Sequence, residues 1–204
     1  MKTVLCFGDS NTYGYRPDNG ERYPSDIRWT GILKNELREK NIDVIEEGLV
    51  GRTTVFEDNI RVGRKGSDFL IPIIESHAPV DTLVLMLGTN DCKVRYKASA
   101  QVIGLGIENL LSQVKNYDKR IEILLMSPIY LGEHVWEEKF DPEFDEESIQ
   151  TSKKLADVYK KIADKYGCRF LAASEVAAPS EADQEHMDSF GHRALADAVR
   201  KQIA

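Results

Sequence analysis

The chain has 204 residues, which is close to the usual size of one domain and long enough to bury a core without disulfides or metals. Its 27 basic and 34 acidic residues give a net charge of −7. That charge argues against nucleic acids and anionic membranes as partners, because both attract basic patches, and it favours a small-molecule substrate.

Five short apolar runs predict β-strands. The first covers residues 3–7 and ends at Gly8, and the others are residues 43–45, 82–87, 121–126 and 168–171. Runs that are apolar on successive residues are typical of strands buried on both faces, as in a parallel sheet. No repeat, low-complexity tract or linker interrupts the pattern, so we expect a single domain over residues 1–204.

Helical patterns separate these runs. They cover residues 29–40, 98–117, 148–166 and 191–203. In the second pattern the apolar stripe is assigned to Val102, Leu105, Leu110, Leu111 and Val114. Strands that alternate with helices indicate βαβ units with right-handed crossovers, and therefore an α/β fold. We predict a three-layer αβα sandwich around a five-stranded parallel sheet.

Two segments, residues 13–28 and 130–147, fit neither pattern. The first is rich in Gly, Pro, Asp and Tyr, and the second mixes aromatic with acidic side chains. Each comes after a predicted strand, and doubly wound proteins bind ligands at the carboxyl ends of their strands. The two segments are therefore candidate substrate-binding loops, the alternative being ordinary solvated surface.

Polar residues with a common chemistry follow three of the predicted strands. The first strand ends in Gly8-Asp9-Ser10-Asn11, which places the Ser10 hydroxyl where the chain leaves the sheet. Gly51 and Asn90 follow the second and third strands, and their N–H and amide groups could join the Ser10 N–H as donors. Fixed donors around a developing oxyanion are what acyl transfer needs, although each motif alone is also compatible with a simple turn.

A serine hydroxyl becomes a good nucleophile only when a base removes its proton. Of the four histidines, His186 is the candidate, because Asp183 precedes it by three residues and could orient its ring within a tight turn. We therefore predict that Ser10, His186 and Asp183 form a catalytic triad. The alternatives are a helix cap beside a surface histidine and a metal site, whose ligands would be Asp183, His186, Asp188 and His192.

In their order along the chain, these motifs resemble the SGNH, or GDSL, hydrolase family. The four family blocks correspond to Gly8-Asp9-Ser10, Gly51, Gly88-Thr89-Asn90-Asp91 and Asp183-Gln184-Glu185-His186. The resemblance implies a flavodoxin-like sheet with strand order 2-1-3-4-5, and neither a metal nor an organic cofactor. Two positions depart from the family pattern: Asn11 replaces the leucine of the family name, and Gln184 replaces the glycine usual in the last block.

A closer likeness is to the arylesterase and acyltransferase branch of the family, as in Arg28-Trp29-Thr30-Gly31 and Arg52-Thr53-Thr54. It implies a serine esterase that hydrolyses or transfers short acyl groups of small-molecule esters, and a homo-oligomer. Two alternatives stay open. One is a thioesterase or carbohydrate deacetylase with the same triad, and the other is a flavodoxin-like binding module without turnover.

The remaining expectations concern substrate contacts and location. Four residues are expected to contact the substrate: Asp9, Asn11, Trp29 and His134. The apolar start of the chain is too short for a signal sequence, and no apolar run approaches the ~20 residues that span a bilayer. Three widely spaced cysteines indicate neither disulfides nor zinc, so we expect a cytoplasmic protein.

Overall fold

Five parallel strands form one sheet in the computed structural model of the chain, which describes residues 1–203. The strands are β1 (Lys2–Gly8), β2 (Ile42–Gly48), β3 (Thr82–Met86), β4 (Glu122–Ser127) and β5 (Arg169–Ala172). Their order across the sheet is β2-β1-β3-β4-β5, with every neighbouring pair parallel. The predicted parallel sheet and its strand order are both confirmed.

Six α-helices connect or follow these strands. They are α1 (Ser10–Tyr13), α2 (Trp29–Leu37), α3 (Gly66–Ser76), α4 (Ala100–Tyr117), α5 (Glu146–Tyr166) and α6 (Ser189–Ile203). The four predicted helices are present within a few residues of their predicted bounds. Helix α3 was not predicted, and it contains Pro72, a residue that normally interrupts a helix.

The helices cover both faces of the sheet. Side chains of α3, α4 and α5 pack with alternate residues of the central strands, such as Leu5 and Leu85, in one apolar cluster. Side chains of α2 and α6 pack on the opposite face with Val4 and Val84 in a second cluster. This is the predicted three-layer sandwich. No helix within residues 1–203 is long and apolar enough to cross a membrane.

The buried face of α4 differs from the predicted stripe. Leu110, Leu111 and Val114 are buried as expected, but Val102 and Leu105 are 43% and 65% exposed. Their places in the core are taken by Ile103 and Ile107, with the buried Gly104 and Gly106 between them. A side chain at Gly104 would overlap Val158 of α5, and one at Gly106 would overlap Thr54. The helix therefore buries large apolar side chains and, at the two glycines, also approaches α5 and Thr54 closely.

The strand register brings three chain segments to one edge of the sheet. Gly8 at the end of β1 pairs with Gly48 of β2 and with Met86 of β3. The carboxyl ends of these strands are therefore level, and the segments that carry Ser10, Gly51 and Asn90 begin together. This edge is the one on which ligands bind in doubly wound folds.

Candidate active site

Asp183, His186 and Ser10 form a continuous hydrogen-bonded chain at this edge. The His186 Nδ1 lies 2.6 Å from the Asp183 Oδ2, and the His186 Nε2 lies 2.7 Å from the Ser10 Oγ. Ser10 and His186 are buried, with 1% and 6% of their surfaces exposed. A carboxylate on one imidazole nitrogen and a serine hydroxyl on the other is the arrangement that activates serine in hydrolases.

The turn that carries Asp183 and His186 is fixed by its own backbone. The Asp183 Oδ1 accepts hydrogen bonds from the N–H groups of Glu185, at 3.0 Å, and His186, at 2.9 Å. Gln184 adopts the left-handed conformation, with φ of 63°, at the position where the resemblance implies glycine. Its carbonyl accepts a hydrogen bond from Gly132 N–H at 2.7 Å, so the segment 130–147 holds this turn from outside.

The charges around His186 favour its protonated form. Burial on its own would lower the pKa of the imidazole, but the negative charges of Glu185 and Asp183 outweigh burial and raise that pKa above its ordinary 6.5. Tyr15 packs against the ring, with ring centroids 4.3 Å apart and planes inclined by 37°. An imidazolium formed when Ser10 loses its proton would therefore be stabilised on two sides.

Asn11 ties the serine turn to the histidine turn. Its Oδ1 accepts a hydrogen bond from Met187 N–H at 3.0 Å, and its Nδ2 donates to the Glu185 carbonyl at 3.3 Å. The Trp29 indole N–H donates in turn to the Asn11 carbonyl at 3.0 Å. These contacts hold the segment 185–187 beside Ser10, although the two turns lie far apart in the sequence.

Gly51 and Asn90 line the same cavity as Ser10 and His186, a space of about 180 Å³. Gly51 has φ of 83°, a conformation that glycine adopts without strain. The Asn90 Nδ2 donates to the Arg52 carbonyl at 3.1 Å, which fixes the amide beside the chain segment that carries Gly51. The predicted donor residues are thus brought together around the serine, as the stabilisation of an oxyanion requires.

Buried polar contacts hold the segment that carries Gly51 against the segment that carries Asn90. The Asp91 carboxylate accepts from the Thr54 N–H at 3.0 Å and from the Thr54 hydroxyl, and burial raises the pKa of Asp91 to about 6. The Arg52 guanidinium donates to the carbonyls of Gly8 and Glu47 and lies over the Phe7 ring. Arg52 therefore joins the ends of β1 and β2, while Asp91 joins the Gly51 segment to the Asn90 segment.

Seven further residues line the cavity, and sequence reasoning assigned no role to any of them. They are Tyr15, Val50, Arg61, Lys93, Asp141, Glu143 and Glu185. The sequence did point to the neighbourhood of four of them. Tyr15, Asp141 and Glu143 lie in the two candidate loops, and Glu185 lies inside the Asp183–His186 motif. No pattern pointed to Arg61. A larger cavity, of about 470 Å³ at the starts of α4 and α5, contains none of the predicted site residues.

None of the four residues expected to contact the substrate lines the cavity. Asp9 is fully buried and caps α1 through the Asn11 N–H, and burial raises the pKa of Asp9 to about 7. Asn11 and Trp29 lie beneath the serine in the contacts described above. His134 is on the outer surface, where its Nδ1 lies 2.8 Å from Glu137. The first three support the site from below rather than face a ligand.

The residues of the alternative metal site make other contacts. Both ring nitrogens of His186 are engaged by Asp183 and Ser10, and Asp188 accepts from Gly191 N–H at the start of α6. His192 is buried, its Nδ1 lies 3.4 Å from the Trp29 N–H nitrogen, and burial lowers its pKa to about 4. Over residues 1–203, no three His, Cys, Asp or Glu side chains are grouped to hold a metal ion.

The chain is similar to known proteins in both sequence and fold. A model of the GDSL-like lipase/acylhydrolase family matches residues 6–194. An aryl esterase from M. smegmatis is 32% identical with a TM-score of 0.91, and the match covers 100% of this chain and 98% of that one. A carbohydrate acetylesterase from Sinorhizobium meliloti is 30% identical, with the same coverage and TM-score.

A third similar structure is a putative arylesterase from Agrobacterium tumefaciens. It is 32% identical with a TM-score of 0.87, and the match covers 100% of this chain and 98% of that one. A comparison with curated protein sequences gave no match. The similarity to solved structures extends over the whole chain, including both loops that frame the cavity.

Proposed function

Because the chain belongs to the GDSL-like lipase/acylhydrolase family and is a carboxylic ester hydrolase, we propose that it cleaves small-molecule esters of short acyl groups through Ser10, His186 and Asp183. The observation that carries this proposal is the unbroken hydrogen-bonded chain from Asp183 through His186 to the Ser10 hydroxyl. The family also argues against the alternative of a binding module without turnover.

In the proposed reaction, the His186 Nε2 takes the proton of the Ser10 hydroxyl as the Oγ attacks the ester carbonyl carbon. Negative charge develops on the carbonyl oxygen, which would accept hydrogen bonds from the N–H groups of Ser10 and Gly51 and from the Asn90 amide. Asp183 keeps the Nδ1 protonated and stabilises the imidazolium. His186 then returns its proton to the leaving alcohol oxygen as the bond from that oxygen to the acyl carbon breaks.

The resulting acyl group on Ser10 is released by a second attack. Water, activated by His186, attacks the acyl carbon, and the Ser10 oxygen leaves with the proton that His186 has taken. An alcohol in place of water would transfer the acyl group instead of hydrolysing it. A space of about 180 Å³ supports a short acyl chain, and a relative named as an acetylesterase points in the same direction.

The direct test is Ser10→Ala. Removing the nucleophile should reduce kcat on p-nitrophenyl acetate by roughly 10⁶-fold while the fold is retained, as in other serine hydrolases. Ser127→Ala is the matched control, because Ser127 ends β4 at the same edge of the sheet and its buried hydroxyl has no hydrogen-bond partner within the described chain. The control should have nearly normal activity, since removing an unpaired buried hydroxyl costs little.

A second measurement identifies the reactive atom. A fluorophosphonate should modify Ser10 once per chain, and mass spectrometry would locate the adduct. The Ser10→Ala variant should not be labelled. An adduct on another residue of active enzyme, or more than a tenth of normal activity in folded Ser10→Ala, would contradict the proposed role of Ser10.

A further inference from the structure

Glu185 places a buried carboxylate in the wall of the cavity beside the triad. Its residue is 7% exposed, and its Oε1 lies 3.9 Å from the His186 Nε2, on the side of the ring that faces Ser10. The backbone of Glu185 is held at both ends, because its N–H donates to Asp183 and its carbonyl accepts from Asn11. The backbone from which the side chain projects is therefore held by the same contacts that position the triad.

The carboxylate itself makes no hydrogen bond to any group in residues 1–203. Its nearest charged partner is the His186 ring, at a distance longer than a hydrogen bond. Lys93, which also lines the cavity, pairs with Asp141 and Glu143 and makes no hydrogen bond to Glu185. Burial raises the pKa of the Glu185 carboxyl group, and once ionised it can only accept hydrogen bonds, so its donor must come from outside the chain. The missing donor is one that a bound substrate could supply.

From this arrangement we infer that Glu185 accepts a hydrogen bond from a hydroxyl on the alcohol half of the substrate, and so selects esters of 1,2-diols and other polyhydroxy alcohols. The inference rests on the proposed function. In that reaction the leaving oxygen lies within hydrogen-bond reach of the His186 Nε2. Because the Glu185 Oε1 is 3.9 Å from the same nitrogen, a hydroxyl on the adjacent carbon can reach it at about 2.7 Å.

The other charges of the cavity give a cation no added attraction. Arg61 and Lys93 line the same space together with Asp141 and Glu143, so two positive charges are balanced by two negative ones. A neutral hydroxyl does not depend on that balance. A hydrogen bond to an ionised acceptor is also stronger than one between neutral groups, so a single hydroxyl can change the specificity measurably.

The test compares two acetate esters that differ by one hydroxyl, 2-hydroxyethyl acetate and ethyl acetate, each corrected for its rate of hydrolysis in dilute alkali. Wild-type enzyme should prefer the hydroxylated ester by about tenfold or more in kcat/KM. Glu185→Ala should bring that ratio close to one. Glu185→Gln should leave an intermediate ratio, because its amide oxygen still accepts a hydrogen bond but carries no charge.

Controls separate this inference from a structural role and from the proposed function. Glu181→Gln changes a carboxylate of the same turn that lies outside the cavity, and its ratio should match that of wild type. An equal loss on both esters in the Glu185 variants, or a wild-type ratio near one, overturns the inference. If Glu185→Ala does not fold, Glu185→Gln alone decides: a ratio of kcat/KM for the two esters that equals the wild-type ratio overturns the inference.

A third substrate, acetylcholine, tests the cationic alternative. If wild type prefers it to both other esters, and Glu185→Gln loses that preference as fully as Glu185→Ala, Glu185 is a cation site and the inference is wrong. Wild-type enzyme that hydrolyses none of the esters and is not labelled at Ser10 contradicts the proposed function itself. Hydrolysis of all three without a preference contradicts only the role of Glu185.

Discussion

The residues beneath the cavity and those around its mouth are held by different interactions. The site floor consists of Ser10, His186 and Asp183 with the supporting Asn11, and buried hydrogen bonds of 2.6–3.3 Å fix it. The site rim is a network of ion pairs among loop residues, namely Asp58, Lys93, Arg95, Asp141 and Glu143. Two of these carboxylates are 25% and 39% exposed, so the network is open to solvent and salt.

This difference indicates that the site floor and the site rim have separate roles in catalysis and in substrate binding. Interactions on the floor are protected from water and should control the chemical step, because low dielectric strengthens hydrogen bonds to developing charge. Ion pairs on the rim are partly screened, and each contributes little to stability, so the rim should affect mainly substrate binding.

Among substitutions of the residues that support Ser10, Asp183→Asn should produce the largest loss of kcat. An asparagine can still accept the two backbone hydrogen bonds, but its NH₂ group would face the Nδ1 and favour the wrong tautomer of His186. The expected decrease in kcat is about 10⁴-fold with the fold intact. Asp188→Asn is the matched control, because Asp188 accepts only from Gly191 N–H and lies outside the cavity. Activity of Asp183→Asn within tenfold of wild type would contradict the assignment.

Asn90→Ala tests whether the amide acts on the transition state or only shapes the loop. We expect kcat to fall by about 10²–10³-fold with little change in KM, the effect of removing one oxyanion donor. The bond from Asn90 to the Arg52 carbonyl would also be lost, so kinetics and melting temperature are measured together. A lowered melting temperature with normal kcat would leave only the structural role.

Thr89→Ala is the local control for that variant. Thr89 is adjacent and buried, and its hydroxyl has no partner in the part of the chain that the structure describes. Its removal should leave kcat close to normal. A comparable loss of kcat in Thr89→Ala would mean that any change in this loop impairs the enzyme, and the result for Asn90 would no longer identify a donor.

The pH dependence tests the electrostatic part of the floor. His186 must be neutral to accept the Ser10 proton, and its pKa is raised above 6.5, so kcat/KM should fall as the pH decreases through that raised value. Glu185 is the largest of the charges that raise it. Glu185→Gln removes the charge, destabilises the imidazolium and should shift the acid limb to lower pH.

The control for the pH experiment is Glu181→Gln. Glu181 bonds the Gln184 side chain, and it is not among the groups that raise the pKa of His186. The acid limb of the pH profile of kcat/KM for Glu181→Gln should coincide with that of wild type. Rates are measured between about pH 5 and pH 9, a range that brackets the ordinary pKa of histidine. A shift of the Glu185→Gln limb to higher pH would contradict the electrostatic account.

The floor could be predicted from the sequence much better than the rim, and the reason is physical. Ser10, Asn90 and His186 each follow a strand of a parallel sheet, and the carboxyl ends of such strands lie along one edge of the sheet. The role of Glu185, by contrast, is not indicated by its place in the sequence, because the Asp183–His186 motif specifies only its two ends. Ion pairs such as Lys93 with Asp141 join distant loops, and nothing local specifies such partners.

Errors in the predicted fold have similar causes. The Pro72 of α3 masks a helical pattern that tertiary packing nevertheless stabilises. In α4, periodicity pointed to Leu105, but the buried face contains Ile103 and Ile107, with glycines where α5 and Thr54 leave no room for a side chain. A hydrophobic pattern records which residues are apolar, and it does not record how closely two elements approach.

Lys93→Met should have the smallest effect, and it tests the rim. The Lys93 ammonium, on a side chain that is 12% exposed, pairs with Glu143 and with Asp141 at 3.5 Å. Methionine keeps the length and apolar stem but not the charge, so the two carboxylates lose a shared partner while Arg95 still binds Glu143. We expect KM to rise by up to about fivefold, equivalent to about 1 kcal/mol, with kcat nearly unchanged.

Salt provides an independent check of the same prediction. At about 1 M salt the Debye length is about 3 Å, so the wild-type rim should weaken and its KM should approach that of Lys93→Met, whose own KM should change less. Lys153→Met is the matched control, since Lys153 pairs loosely with exposed Glu133 and lies outside the cavity. If Lys93→Met instead lowered kcat as much as Asn90→Ala, the rim would take part in the chemical step, and the division between floor and rim would fail.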